Sequence, residues 1–423
     1  MWFSYARLGG TWMKVVVFTL GCKVNMSESD SLMSALKDKG YEVFEDLVYA
    51  DIYIVNTCAV TSEAERKSRQ TVSRITKINP NAKIIFTGCA TQRSPDSFKD
   101  KKGVTVVTGT FSKSKILDLI DEHGVFLSPE IKEFEELLPA QTKRSRAYIK
   151  VQDGCNNFCS YCIIPYLRGR TRSRNPESVI NEINYLNPCE AVINGINLTS
   201  YNYQNQNLTS LIKSLNGVNS RIRLGSLEIN VIDKDFLLAL KDLKDFAPHF
   251  HLSLQSGSDS VLKSMNRKYT SSEFIEKVNL IREYFVDAGI TTDIIVGFPT
   301  ETEEYFNETL DLVKKVKFSD VHAFPFSPRS GTVAYKMQDL DKAVKSKRLQ
   351  KLLEVKEEFK KDFILSNIGK THFVVGEEVI DGYTVGYTGN YIRTYIKGDY
   401  AFKKIKVKLI KEYKDGVLAE KGE

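Results

Sequence analysis

The 423-residue chain has no apolar run near the roughly 18 residues that a membrane-crossing helix needs. Its first apolar stretch, KVVVFTL from Lys14, is too short and wrongly flanked for a secretory signal. Both absences point to a cytoplasmic protein with no membrane partner. No internal repeat or low-complexity tract is present. Histidines number only five, and none of His123, His249, His251, His322 and His372 has a C-x2-C or H-x3-H partner at short spacing, as a zinc knuckle would want. Disulfides are also disfavoured: seven cysteines, an odd number in a long chain without a signal, suit thiols kept reduced for metal or redox chemistry.

A composition of 42% hydrophobic and 27% charged residues is that of soluble globular material, with length for two or three domains. The net charge of +7 is modest but uneven, because Lys143, Arg144, Arg146, Lys150, Arg168, Arg170, Arg172 and Arg174 crowd together. That distribution permits a polyanionic partner. Residues 1–12 show no periodicity and read as a leader ahead of Met13. Over 13–126 short apolar runs alternate with amphipathic stretches, the signature of βα units and an open parallel sheet. Residues 127–146, acidic, then proline-bearing, then basic, read as a linker.

Over 147–370 a second βα series follows, with strands at 147–152, 191–196, 221–227, 249–254, 291–298 and 320–326. Six strands with five helices between them and no doubling back predict a partial (βα)6 barrel, ended by a long charged helix over 341–366. From 371 to 423 the texture becomes glycine, tyrosine and valine with period-two alternation, which predicts a small all-β barrel.

The stretch DGCNNFCSYCIIP (153–165) places Cys155, Cys159 and Cys162 on the loop after the first barrel strand, at the mouth where barrel active sites form. Three thiolates can hold three irons of a 4Fe–4S cluster and leave the fourth open. The competing reading is a zinc site completed by a distant histidine or Cys189. Cys22, Cys58 and Cys89 each follow an apolar strand of the first domain (VVVFTLGC, IYIVNTC, AKIIFTGC), and strand ends of a parallel sheet line one crevice, so a second three-thiol site is expected there. Three separately buried thiols are the alternative. Cys189 fits neither group and reads as core.

C-x3-C-x2-C with Tyr161 before the last cysteine resembles the signature of the radical S-adenosylmethionine superfamily. The segments TLGCKVNMSESD, NTCAVTSEAERKSRQ, TGCATQ, VQDGCNNFCSYCIIPYLRGRTRSR, HLSLQSGSDSVLKSMNRKYT, TTDIIVGFPTETEEYF and FPFSPRSGT, in this order, resemble the methylthiotransferases of that superfamily from Lys14 to the C-terminus. The resemblance implies two 4Fe–4S clusters, an auxiliary one on Cys22, Cys58 and Cys89 and a radical one on Cys155, Cys159 and Cys162. S-adenosylmethionine would be both methyl donor and radical source, and a flavodoxin or ferredoxin would be the electron donor. It also implies a C-terminal barrel of the TRAM type that binds tRNA at the anticodon stem-loop.

By motif position, Tyr161, Gly195, Asn197, Glu228, Gln255, Arg267 and Asp293 are the implied S-adenosylmethionine contacts. GCKVN, NTCAVTSEAERK and GYTGNYIR resemble the branch acting on N6-threonylcarbamoyladenosine of tRNA. The alternatives are the isopentenyladenosine branch, which usually reads Gln-Met at Lys23-Val24, and a branch acting on a ribosomal protein.

In FKKIKVKLIK, Lys404, Lys406 and Lys408 alternate with Ile405, Val407 and Leu409, which turns the lysines to one face of a strand. Such lysines suit phosphates, and Tyr383, Tyr387, Tyr391, Tyr395 and Tyr400 upstream suit stacking on unpaired bases. A solvated strand face is the plain alternative. Arg168, Arg170, Arg172 and Arg174 would likewise share a face if RGRTRSR is extended.

Overall fold

The computed structural model describes residues 7–8, 11–140 and 144–422. Most of the leader expected over 1–12, and Lys143 of the basic cluster, lie outside the described residues. Arg7–Leu8 and Thr11–Trp12 pair antiparallel. No helix among the described residues is long and apolar enough to cross a membrane.

The first domain is a six-stranded parallel sheet in the order Glu42–Phe44, Lys14–Thr19, Ile52–Thr57, Lys83–Gly88, Val104–Thr108, Gly124–Phe126. Its central strands are the apolar runs of the sequence, and alternation sends their side chains to two cores. Val16, Tyr53, Val55, Ile84 and Phe86 pack on one face, and Val15, Val17, Ile52, Ile54 and Ile85 on the other. Burial on both faces is what parallel strands require, and each such side chain contributes about 1.5–3 kcal/mol. Helix Lys23–Asp38 follows the first strand. Helix Ser62–Ile78 starts where Thr61 accepts a hydrogen bond from the Ala64 amide, with Glu63 and Glu65 in its positive first turn.

The second domain, called the radical domain below after the resemblance noted in its sequence, has six parallel strands in chain order: Arg146–Asp153, Glu190–Gly195, Arg221–Leu224 continued by Ser226–Leu227, His249–Gln255, Gly289–Val296 and Asp320–Pro325. Among the described residues no pairing joins the last strand to the first, so the barrel is partial. Ala147, Ile149, Ala191, Ile193, Ile222, Leu224, Phe250, Leu252, Ile290 and Ile294 face outward into the core under the helices. The intervening positions face the barrel interior. The series does double back once, contrary to expectation: Arg172–Ser173 returns antiparallel along Asp153 and Gln152, because the cysteine loop must re-enter the fold beside the strand it left.

The segment 127–140 is no slack linker. Glu135 accepts from the Ser114 amide and hydroxyl at 3.0 and 2.8 Å, Glu136 accepts from Arg174 Nε at 2.8 Å, and Glu130 accepts from the Arg170 amide at 2.7 Å. Its carboxylates fasten it to both domains.

Helix Lys342–Asn367 leads to a closed five-stranded barrel in the order Thr371–Ile380, Tyr383–Thr388, Arg393–Lys397, Gly416–Lys421, Lys404–Tyr413. Ion pairs dock it on the radical domain. Glu190, fully buried, accepts from Arg221 Nε at 2.6 Å and Arg223 Nε at 2.7 Å. The same arginines donate to Phe373 O at 3.0 Å and Thr388 O at 3.0 Å of the barrel.

Candidate active site

Register brings the first triad together. Thr19 pairs with Asn56, and Asn56 with Thr87, so the strand ends are level and Cys22, Cys58 and Cys89 emerge at one edge. Asn25 clamps two of the ends: its amide donates to Leu20 O at 2.9 Å and Thr57 O at 3.0 Å. Cys22 is exposed at the N-cap of helix Lys23–Asp38, while Cys58 and Cys89 are buried.

The second triad sits on the loop after Arg146–Asp153. Gly154 turns that loop with φ of +72°, and Phe158 follows with +48°. Gln152, fully buried, ties it down by donating to Asp153 O at 2.8 Å and Gly154 O at 2.7 Å. Asn266 donates to Asn157 O at 3.2 Å and Phe158 O at 3.0 Å. Donors also reach the sulfurs: the Asn157 amide and Asn197 Nδ2 approach Cys155 Sγ at 3.5 and 3.8 Å, and an Arg267 N–H approaches Cys159 Sγ at 3.4 Å.

Burial pushes the Cys58 thiol up to about 11 and the Cys162 thiol to about 12, with the other thiols of each triad adding to the shift. Desolvated thiols this close ionise only when a cation takes the charge. No trio of His, Cys, Asp or Glu among the described residues is set to close on a single metal ion. A cubane, in which each thiolate takes its own iron, uses a wider donor set, and N–H groups aimed at sulfur are what it uses around it. The residues therefore fit an iron–sulfur group at each triad.

Arg168 joins the two triads. It ends helix Ile164–Arg168 of the cysteine loop and is buried. It donates to Glu28 Oε1 at 2.8 Å and Asn25 Oδ1 at 2.6 Å of the first domain, and to Asp153 at 3.2 Å. Although burial opposes its charge, Glu28, Asp153 and Cys89 hold Arg168 firmly protonated. Glu28 also meets Lys150 at 2.9 Å and Lys113 at 3.2 Å, and these cations hold it well below the usual carboxylate range despite burial.

This corrects the expected arginine face. Arg168, Arg172 and Arg174 are buried in ion pairs, Arg168 with Glu28 and Asp153, Arg172 with Asp153 and Arg174 with Glu182, and of the four only Arg170 is exposed. Helix, turn and short strand break the period-two pattern. Cys189 is likewise not core. It is half-buried at the seam with the C-terminal barrel, its Sγ 3.2 Å from Phe402 O.

Of the implied S-adenosylmethionine contacts, Asn197, Glu228 and Arg267 adjoin the second triad. Glu228 Oε1 accepts from Asn157 Nδ2 at 2.7 Å and from Arg267 at 2.8 Å. Gly195 packs so closely on Gln152 that an added Cβ would lie 2.8 Å from the Gln152 Cβ. Gln255 ends its strand with φ of +70°. Tyr161 is partly buried against the apolar cluster of Val261, Met265, Phe298, Phe326 and Ala334. Asp293 lies apart from that loop, paired with His251 Nε2 at 3.2 Å. Gln152, Asn25 and Glu28 were not singled out from the sequence. Their only signal was a polar residue inside otherwise quoted motifs.

On the C-terminal barrel, Lys404, Lys406 and Lys408 are exposed between buried Ile405, Val407 and Leu409. Lys404 is bound to Asp245 of the radical domain. The tyrosines do not form an open ladder. Tyr387 and Tyr391 stack on each other at 4.7 Å, Tyr391 stacks on His249 at 4.4 Å, and Tyr395 is buried with its hydroxyl on Asp415. Docking of the barrel engages Tyr387 and Tyr391, while Tyr395 is held within the barrel itself.

Comparison with known proteins agrees with this architecture. The Radical SAM superfamily matches residues 149–313, and Uncharacterized protein family UPF0004 matches residues 14–109. The chain is 38% identical to the threonylcarbamoyladenosine tRNA methylthiotransferase MtaB of Bacillus subtilis, over 94% of each chain. It is 39% identical to the protein of the same name from Thermotoga maritima, over 96% of this chain and 97% of that one. A tRNA-2-methylthio-N(6)-dimethylallyladenosine synthase of Thermoanaerobacter is 38% identical over 80% of this chain and 76% of its own. Among solved structures, a radical S-adenosylmethionine methyltransferase from Kitasatospora setae superposes with a TM-score of 0.54 at 15% identity, covering 74% of this chain and 75% of that one.

Proposed function

The chain belongs to the methylthiotransferases of the radical S-adenosylmethionine superfamily, and from that premise we infer that it is a tRNA-modifying enzyme that methylthiolates C2 of N6-threonylcarbamoyladenosine beside the anticodon. The observation that supports this best is the pair of three-thiol sites joined through buried Arg168. Cys155, Cys159 and Cys162 would hold a 4Fe–4S cluster open to S-adenosylmethionine, and Cys22, Cys58 and Cys89 a second cluster. When bound, these groups supply a radical and an iron-borne sulfur, chemistry that an aromatic C–H without useful acidity demands.

The chain's own part is placement. Arg267 and Asn197 hold the cysteine loop by its sulfurs, and Glu228 fixes Arg267 and Asn157. With Tyr161, Gly195, Gln255 and Asp293 they form the wall offered to S-adenosylmethionine. The lysine face of the C-terminal barrel serves the tRNA backbone, a flavodoxin or ferredoxin supplies electrons, and the enzyme works in the cytoplasm.

Reconstituted protein should carry about eight irons per chain. Changing Cys155, Cys159 and Cys162 to Ala should halve that and abolish S-adenosylmethionine cleavage. Changing Cys22, Cys58 and Cys89 to Ala should leave reductive cleavage running while no methylthiolated nucleoside appears in tRNA digests. Product from the second variant would sink the two-cluster reading, and equal turnover of isopentenyladenosine-bearing tRNA would overturn the substrate.

A further inference from the structure

A second bridge between the first domain and the radical domain is built around Glu65, and its charges do not balance. Arg69 Nη1 donates to Glu65 Oε1 at 2.9 Å, Arg93 Nη1 donates to Glu65 Oε2 at 2.5 Å, and Arg329 of the radical domain donates to the same Oε2. Serines take the far ends of two of these guanidinium groups: Arg93 Nη2 donates to Ser330 Oγ at 2.6 Å and Arg329 Nη1 to Ser62 Oγ at 3.1 Å. The Ser327 hydroxyl donates to Ser62 Oγ at 3.2 Å, and the Ser62 amide donates back to Ser327 Oγ at 3.2 Å. The bridge stands beside the cysteine loop. The Ala334 amide donates to Ser160 O at 2.7 Å, and a Cβ at Gly331 would lie 3.4 Å from Ile163 Cδ1.

Although burial opposes its charge, Arg329, Arg93 and Arg69 hold Glu65 below the usual carboxylate range, so it stays anionic at neutral pH. Among the described residues none of the three arginines meets another carboxylate, and Glu63 of the same helix turn is committed to Arg66 and Lys67. Three guanidinium groups on one carboxylate leave a surplus of two positive charges. Arg329, 3% exposed, keeps its Nε without a partner. The surplus nevertheless reaches water: the side chains of Arg93 and Arg69 are 17% and 36% exposed, and Ser62 and Ser330 are exposed. Ser62 also opens a 17-residue helix, whose free amide end adds to the positive potential.

We propose that this seam is a phosphate subsite for the RNA substrate, in which Arg69 and Arg93 clamp one backbone phosphodiester while Glu65 and Arg329 hold them in place. This deepens the tRNA reading above and rests on it. Guanidinium groups present paired N–H donors that match phosphate oxygens. The Ser62 and Ser330 hydroxyls already accept from arginines, so their own protons are left to donate. A base delivered between the two triads leaves its backbone at the rim of the two domains, and a phosphate held there fixes register without reading sequence.

The test is binding of an anticodon stem-loop across a chloride series, followed by fluorescence anisotropy. Losing one phosphate contact lowers the slope of log K against log salt by about 0.7 to 0.9. Arg69→Ala combined with Arg93→Ala should show that fall, with affinity at low salt about ten-fold weaker. Lys77→Ala, which removes an exposed cation from the other end of the same helix, should keep the wild-type slope. Arg69→Lys with Arg93→Lys should recover the slope but only part of the affinity, because an ammonium lacks the paired donors. Iron content and RNA-free S-adenosylmethionine cleavage should match wild type throughout, since Arg329 still holds Glu65. Arg69→Ala alone, at the exposed end, repeats the measurement if the double variant loads less iron. A wild-type slope in the alanine variants would overturn the site, as would an equal fall in Lys77→Ala, which would mark a diffuse field instead of a clamp. Wild-type binding that ignores salt would instead remove the RNA reading, and the subsite with it.

Discussion

At the scale of single residues, Gly154 shows how narrow the tolerance around the second triad is. Its φ of +72° is left-handed, and a Cβ there would sit 1.9 Å from the Arg170 carbonyl oxygen, against backbone that cannot rotate away. That backbone is also the partner of the loop, since the Cys155 amide donates to Gly169 O at 3.0 Å. Gly154→Ala should therefore force the cysteine loop off its strand. The expected result is reconstitution with about four irons instead of about eight, with far-UV circular dichroism unchanged because only a loop is displaced. Full iron loading of Gly154→Ala would show that the loop accommodates the methyl group.

Between elements, the strand Glu190–Gly195 begins with the carboxylate that organises the docking of the C-terminal barrel. Burial alone would raise the Glu190 pKa, yet Arg223, Arg221 and Arg146 hold it at about 2. A carboxyl depressed in the folded state stabilises the fold fully above its ordinary pKa, and that contribution is lost as pH falls toward 2. Glu190→Gln should cost about 3–5 kcal/mol at neutral pH, because three cations lose their counter-charge in a buried seam. Calorimetric unfolding of wild type and variant should show a gap that is constant above pH 5 and narrows below pH 4. A gap independent of pH would mean that the arginines find other partners.

For the whole molecule, tRNA affinity should depend steeply on salt through the lysine face of the barrel. Changing Lys404, Lys406 and Lys408 together to Ala should lower the slope of log K against log salt by about two to three, at roughly 0.9 per phosphate contact. The lower figure applies if Lys404 keeps its charge committed to Asp245. Filter binding across a salt series measures it directly. An unchanged slope would mean that the tRNA backbone lies on another face.

The sequence by itself determined the elements and the chemistry. Apolar runs ending in Cys22, Cys58 and Cys89 set strands with thiols at their ends, and C-x3-C-x2-C set the second triad, because strand period and ligand spacing are local properties. The alternation of Lys404 to Leu409 likewise read correctly as one exposed and one buried face. What lay between elements was not legible. The period-two arginines looked like one face, yet a helix end at Arg168 and a turn before Arg172 sent them to several buried carboxylates, Arg168 to Glu28 and Asp153, Arg172 to Asp153 and Arg174 to Glu182. Tyr387 and Tyr391 looked available for bases, yet docking spent them on each other and on His249. Which cation meets which carboxylate in a buried seam depends on how whole domains pack, and only the tertiary structure decided that.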